Sequence, residues 1–412
     1  MNARNESDPM PEQRTETTGI DDSGRARLGA KSARPARSPS HAVRGWLRAF
    51  PVPFPVRPIS AKLSAGIDRG TDESTRPLPI PILPTPILPR PVHPRPKENP
   101  MDRPLHFGVT LPQIKRDWAE SRDCAVELDR LGFDSAWVCD HVYGVPNPRT
   151  PILEAWTLLT AVAAVTENLE LGTLVTPPFF RNPAMLAKQV ATLDHIAGGR
   201  VIMGLGAGWF QPEFEAYGNP FPPLGARMRG LEEYVQILKS MWQEEQTTFE
   251  GEHFQVKEAI CEPKPPRRPP VLIGGTGEKV LMGIAARYGD IWNNMAITQA
   301  QLGQKIEALH KRCAEVGRDP AELQISQQCV VIIEETEEAA RASLAKAGKI
   351  YGGHMGAGLE EHGIWGTPER VVQCIERHRA LGCTGFLMEF FGRDTRVPAR
   401  IFAEQVLPRL RG

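Results

Sequence analysis

The stretch that decides the fold runs from Leu169 to Phe210: L-E-L-G-T-L-V-T-P-P-F-F-R-N-P-A-M-L-A-K-Q-V-A-T-L-D-H-I-A-G-G-R-V-I-M-G-L-G-A-G-W-F. Leu169 to Val175 is a short apolar, β-branched run, ended by Thr176-Pro177-Pro178. From Asn182 to Ile196 the apolar residues Met185, Leu186, Val190, Leu193 and Ile196 recur at helical spacing. Asn182 sits where an N-cap belongs, Pro183 takes the first helical position, and Gly198-Gly199 closes the segment. Val201 to Leu205 reads as a second buried strand that opens into Gly204-Leu205-Gly206-Ala207-Gly208. Two continuous apolar strands joined by a helix predict parallel pairing with a right-handed crossover.

The same unit repeats on both sides. Strand candidates fall at residues 105–111, 134–139, 170–175, 200–206, 270–274, 290–294, 323–333 and 384–390. Helical patterns at 117–131, 153–166, 182–196, 224–244, 279–288, 299–316, 335–346 and 368–381 separate nearly all of them. This alternation predicts a TIM (β/α)8 barrel, with an open doubly wound sheet as runner-up. The barrel is preferred because the strand count reaches eight and Gly-rich loops recur after several strands. Two insertions interrupt it: a small hairpin over 247–256, and an irregular Gly-rich segment over 348–366.

Composition divides the 412-residue chain. Residues 1–100 hold close to half of the 39 prolines, many Arg and Ser, and no periodicity, so they are expected to form a disordered Pro/Arg-rich extension. Residues 101–412 form the folded domain, and Met101 is a candidate for the true translational start; a linker or a targeting arm are the rival readings. Lys plus Arg and Asp plus Glu both number 49, which gives no electrostatic case for a nucleic-acid partner. No apolar run reaches the roughly 18 residues of a membrane span. The seven cysteines are scattered and odd in number, as expected of reduced core residues in a cytoplasmic protein without disulfides or a metal site. His-Glu-x-x-His, Gly-x-Ser-x-Gly and Cys-x-x-Cys are all absent, so the chemistry has to come from a bound cofactor.

In a barrel the ligand-binding residues come from the carboxyl ends of the strands. The second strand ends in Cys139-Asp140-His141, a carboxylate and an imidazole suited to proton donation or cofactor contact, or equally to capping a loop. The third ends in Thr173-Leu174-Val175-Thr176, which by itself reads as a strand stop. The fourth ends in Gly206-Ala207-Gly208, small residues against which a flat ring can lie. The fifth runs into Gly274-Gly275-Thr276-Gly277 before a helix, either a phosphate cradle or an ordinary turn with Thr276 as N-cap. His195 and the tryptophans Trp156, Trp242 and Trp292 read as structural.

Together these stretches resemble the luciferase-like monooxygenase superfamily, particularly its coenzyme F420-dependent oxidoreductases. The resemblance rests on residues 132–141, 151–155, the opening block, 272–279 and 366–372, which stand in family order. It implies hydride transfer between the deazaflavin and a small organic substrate. The alternatives are an FMN-dependent monooxygenase on the same barrel and a non-catalytic flavin-binding barrel. It further implies a non-proline cis peptide at Thr173–Leu174 under the cofactor ring, and His141 near the redox-active face as proton donor. Asp140, Thr173, Leu174, Thr176 and Gly206 to Gly208 fall near the cofactor, Gly274 to Gly277 at its phosphate, and a homodimer is implied. Sugar-phosphate dehydrogenases of this group carry Glu directly after the fourth-strand glycines. Here Trp209 stands there, with Phe210 beside it and Glu213 four residues on, which points to a more apolar substrate.

Overall fold

The computed structural model describes residues 103–356 and 358–412. The expected extension over residues 1–100 and the start at Met101 lie outside the described residues. The strands, in chain order, are β1 His106–Thr110, β2 Ser135–Val138, β3 Glu170–Thr173, β4 Val201–Leu205, β5 Thr247–Glu250, β6 Gln255–Ala259, β7 Val271–Gly274, β8 Ile291–Asn294, β9 Gln324–Ile333, β10 Ile364–Gly366 and β11 Gly385–Phe390. Parallel pairing runs β9-β11-β1-β2-β3-β4-β7-β8 and returns from β8 to β9, so eight strands close into a barrel. β5 and β6 form the expected antiparallel hairpin to one side. β10 extends the sheet by pairing with the far end of β9.

The helices are α1 Trp118–Arg130, α2 Ala155–Ala163, α3 Pro183–Ile196, α4 Gln211–Ala216, α5 Leu224–Gln243, α6 Leu281–Tyr288, α7 Leu302–Glu315, α8 Glu337–Met355, α9 Leu359–His362, α10 Pro368–Ala380, α11 Arg396–Gln405 and α12 Leu407–Arg411. Their starts follow local chemistry. Asp117 and Glu120 form a reciprocal capping box on α1, and Asn182 accepts from the Ala184 and Met185 N–H groups on α3. Of the α3 stripe, Leu186, Val190 and Leu193 are buried, whereas Met185 and Ile196 lie at its edges and are exposed.

Strand residues alternate between two cores, the period-two geometry of a closed sheet. Ala136, Val138, Met203, Ile273 and Met388 face the helices, while Trp137, Ile202, Leu272 and Leu387 fill the barrel interior. Trp137 fits there because β3 carries Gly172, where a Cβ would lie 2.4 Å from its ring. A third cluster, formed by Val330, Ile332, Ala340, Leu344, Ala347, Leu359 and Trp365, joins α8, α9 and β10 to the upper half of β9. Here the irregular segment expected over 348–366 is corrected. α8 continues to Met355, broken only at Gly352 (φ 52°, ψ −140°), because Ala347, Tyr351 and Met355 extend its apolar stripe through the glycines.

Candidate functional site

Asp140 and His141 follow β2 directly, and alternation turns them different ways. Asp140 is buried and faces the helices, where its carboxylate accepts from Arg181 Nη1 and Nη2 (2.7 and 3.0 Å), Thr176 Oγ1 (2.7 Å) and Trp156 Nε1 (3.1 Å). Burial opposes the Arg181 charge, but Asp140 and Glu154 outweigh it and raise its pKa above the ordinary value. The side chains of Asp140 and Thr176 are therefore spent on the protein itself. Thr173 is likewise fully buried and donates to the Gly204 carbonyl (2.9 Å). Sequence reading missed Arg181, although it stands in the opening block beside the Asn182 cap.

His141 is partly exposed, and its Nδ1 donates to Glu213 Oε1 at 2.7 Å. The other oxygen, Oε2, accepts from the Val142 N–H (3.1 Å), so the buried Glu213 carboxylate holds both the imidazole and its loop. Engaging Nδ1 leaves Nε2 as the nitrogen available to a ligand. Trp209 approaches the same imidazole edge-on, 6.0 Å between ring centres, and packs against Phe210. Trp209 precedes the N-cap Phe210 and Glu213 stands in the first turn of α4, so the acid absent directly after the glycines is delivered to His141 four residues later.

A non-proline cis peptide lies at Leu174–Val175, one bond later than the expected Thr173–Leu174. The Leu174 N–H still donates to the Val138 carbonyl (2.8 Å), and Thr176 pairs again with β4 by donating to the Gly204 carbonyl (2.9 Å). Val175 then lies across the strand ends, and a Cβ on Gly206 would come within 2.5 Å of its Cγ2, one on Gly274 within 2.9 Å of its Cγ1. These two glycines thus make room for Val175. Leu174, Val175 and Ala207 stay partly exposed at the mouth, whereas Gly206 is buried. Gly208 turns away at φ 74°, against Phe214 and Pro177.

Past β7, Gly275 donates to the Asn293 carbonyl, but helix α6 begins only at Leu281, so Thr276 is not its N-cap. The N–H groups of Thr276, Gly277, Glu278, Lys279 and Val280 have no acceptor among the described residues. Lys305 Nζ reaches this turn from α7, donating to the Thr276 carbonyl (3.3 Å) and pairing with Glu278 (2.7 Å). Free amides beside a lysine form a donor set that fits a phosphate. The structural readings of other residues also find places: His195 Nε2 bonds the Lys264 carbonyl, and Trp156, Trp242 and Trp292 are buried. All seven cysteines are free thiols. Among the described residues, no group of three or more acidic, His or Cys side chains could hold a metal, and no helix is long and apolar enough to cross a membrane.

The luciferase-like monooxygenase family profile matches residues 103–385. The chain belongs to that family. An F420-dependent glucose-6-phosphate dehydrogenase of Kineococcus radiotolerans is 37% identical over 46% of this chain and 56% of that protein. An FMNH(2)-dependent dimethylsulfone monooxygenase of Pseudomonas putida is 28% identical over 71% of this chain and 94% of that protein. The fold matches that of an F420-dependent secondary alcohol dehydrogenase, solved with an F420-acetone adduct, at a TM-score of 0.67 and 24% identity, covering 75% of this chain and all of the other. The chain is an oxidoreductase of the luciferase-like family.

Proposed function

We propose that the chain is a coenzyme F420-dependent oxidoreductase acting on a small organic substrate. The observation that carries this reading is the His141–Glu213 pair, an imidazole with one nitrogen committed and one free, beside the Leu174–Val175 cis peptide. When bound, the deazaflavin supplies a two-electron acceptor or donor. Oxidising a carbon that bears a hydroxyl or an amino group then also requires loss of an O–H or N–H proton, and His141 Nε2 takes that proton while Glu213 stabilises the imidazolium. In reduction the same nitrogen returns it. The amides of residues 276–280 and Lys305 would hold the phosphate, and Trp209 and Phe210 would border the substrate.

A second reading, an FMN-dependent monooxygenase, draws support from the Pseudomonas putida relative, whose match covers most of both chains. Fluorescence titrations of the protein with F420 and with FMN separate the two. The expected result is micromolar affinity for F420, with turnover in a screen of small alcohols, ketones and amines. His141→Ala should then lower kcat by about 10²–10⁴-fold with cofactor affinity kept within a few-fold. Micromolar FMN binding with none for F420 overturns the F420 reading in favour of the second.

A further inference from the structure

The last barrel strand brings to the mouth a carboxylate that no sequence motif announces. On β11, Leu387 points into the barrel beside Trp137 and Leu272, and the two-residue period puts Glu389 on the same face, at the carboxyl end of the strand. Its Oε1 accepts a 2.7 Å hydrogen bond from Tyr351 Oη, and it has no other polar partner and no ion pair among the described residues. Burial raises its pKa above the ordinary carboxyl range, with the phenol bond opposing.

The neighbouring charges define what this carboxylate lacks. The inward thiol of Cys139 is pushed up to about 12, by burial first and then by Asp140, Glu389 and Glu213. Of these three acids, Asp140 is neutralised by Arg181 and Glu213 is engaged by His141. Glu389 is met only by a phenol. Tyr351 itself is well anchored, since Ala340, Leu344 and Ala347 on the same helix pack against β9. It stands one residue before the break at Gly352, so α8 ends where it delivers the hydroxyl. A half-buried carboxylate without a cation is costly, and a ligand that carries the missing charge relieves the cost.

We infer that Glu389, held by Tyr351, determines substrate specificity at the barrel mouth by taking a cationic nitrogen, so that the substrate is an amine with an apolar body. This rests on the oxidoreductase reading above, and it adds the substrate class. The apolar body lies over the partly exposed Leu174 and Val175, which cover the interior cluster of Leu387 and Trp137, and the ammonium replaces the absent counter-charge.

Calorimetry on the full chain tests the inference with two probes of matched shape, n-hexylammonium chloride and 1-hexanol, after fluorescence titration has measured cofactor binding. Wild-type protein should bind the ammonium about tenfold or more tighter than the alcohol. Glu389→Gln should abolish that preference while leaving alcohol affinity and cofactor affinity within about twofold. Tyr351→Phe should keep the preference and weaken ammonium binding several-fold. Equal binding of the two probes by wild type, or a Glu389→Gln protein that keeps the preference, overturns the inference. So does a Glu389→Gln protein that loses both probes equally, since that marks Glu389 as a latch for α8. If neither F420 nor FMN binds, the cofactor reading fails, while the ammonium-to-alcohol comparison on the cofactor-free chain still decides the role of Glu389.

Discussion

Asp140 and Glu389 stand on the two strands that flank β1, each at its carboxyl end, and the fold treats them in opposite ways. Asp140 falls on the outward face and accepts four hydrogen bonds, two from one guanidinium. Glu389 falls on the inward face and accepts one. The same side-chain chemistry near the carboxyl ends of the strands becomes scaffold or site according to which face the two-residue period gives it. A carboxylate whose lone pairs are all used holds structure, and one with capacity left over at the mouth is available to a ligand.

The most direct way to break this contrast is to delete both acids and compare. Asp140→Ala strands Arg181 with Glu154 as its one remaining carboxylate and leaves the Thr176 hydroxyl and Trp156 indole without their acceptor. It should cost about 3–5 kcal/mol in urea unfolding. Glu389→Ala removes a charge that has no cation and should change stability by less than about 1 kcal/mol in either direction. Similar losses in the two variants would mean that Glu389 is scaffold as well.

The contrast also explains what could be read from the sequence. All eight barrel strands are legible, most clearly where a strand buried on both faces is a continuous apolar run, as in Val201–Leu205. The cap of α3 is legible because Asn182 acts within three residues of itself. Contacts made across the barrel are not. Nothing near Glu213 in sequence marks it as the partner of His141, 72 positions earlier, and nothing near Tyr351 points to Glu389. The glycines mislead in both directions. Gly206 read as space for a ring and Gly274 as part of a phosphate cradle, and both make room for Val175, while Gly348 and Gly352 read as loop although the Ala347–Tyr351–Met355 stripe carries α8 through them. Thr276 looked like an N-cap because Gly-x-Gly turns often start helices, but α6 waits until Leu281.

A third acid sharpens the rule by separating spare capacity from access. Asp194 near the end of α3 is fully buried at the opposite end of the barrel, where Oδ1 accepts from the Val201 N–H (2.9 Å) and Oδ2 has no partner. Burial pushes its pKa up to about 6, against the Val201 bond and the Arg267 charge. Because the folded value lies above the unfolded one of about 4, the folded state holds the extra proton between them. The protonated group's contribution is fully present below pH ~4 and is lost as pH rises through 6, up to about 3 kcal/mol by linkage. Asp194→Asn keeps the Oδ1 acceptor and removes the charge, but its Nδ2 would lack an acceptor, so the net gain at pH 7 should be about 1 kcal/mol. At pH 4 the gain should vanish or reverse. Urea midpoints of both proteins from pH 4 to 7 measure it, and a variant less stable at pH 7 would show that the Arg267 charge holds Asp194 ionised. With the expected sign, Asp194 and Glu389 are alike in lacking a cation and differ in access: sealed at the bottom of the barrel that lack is only a cost, and at the mouth it selects a ligand.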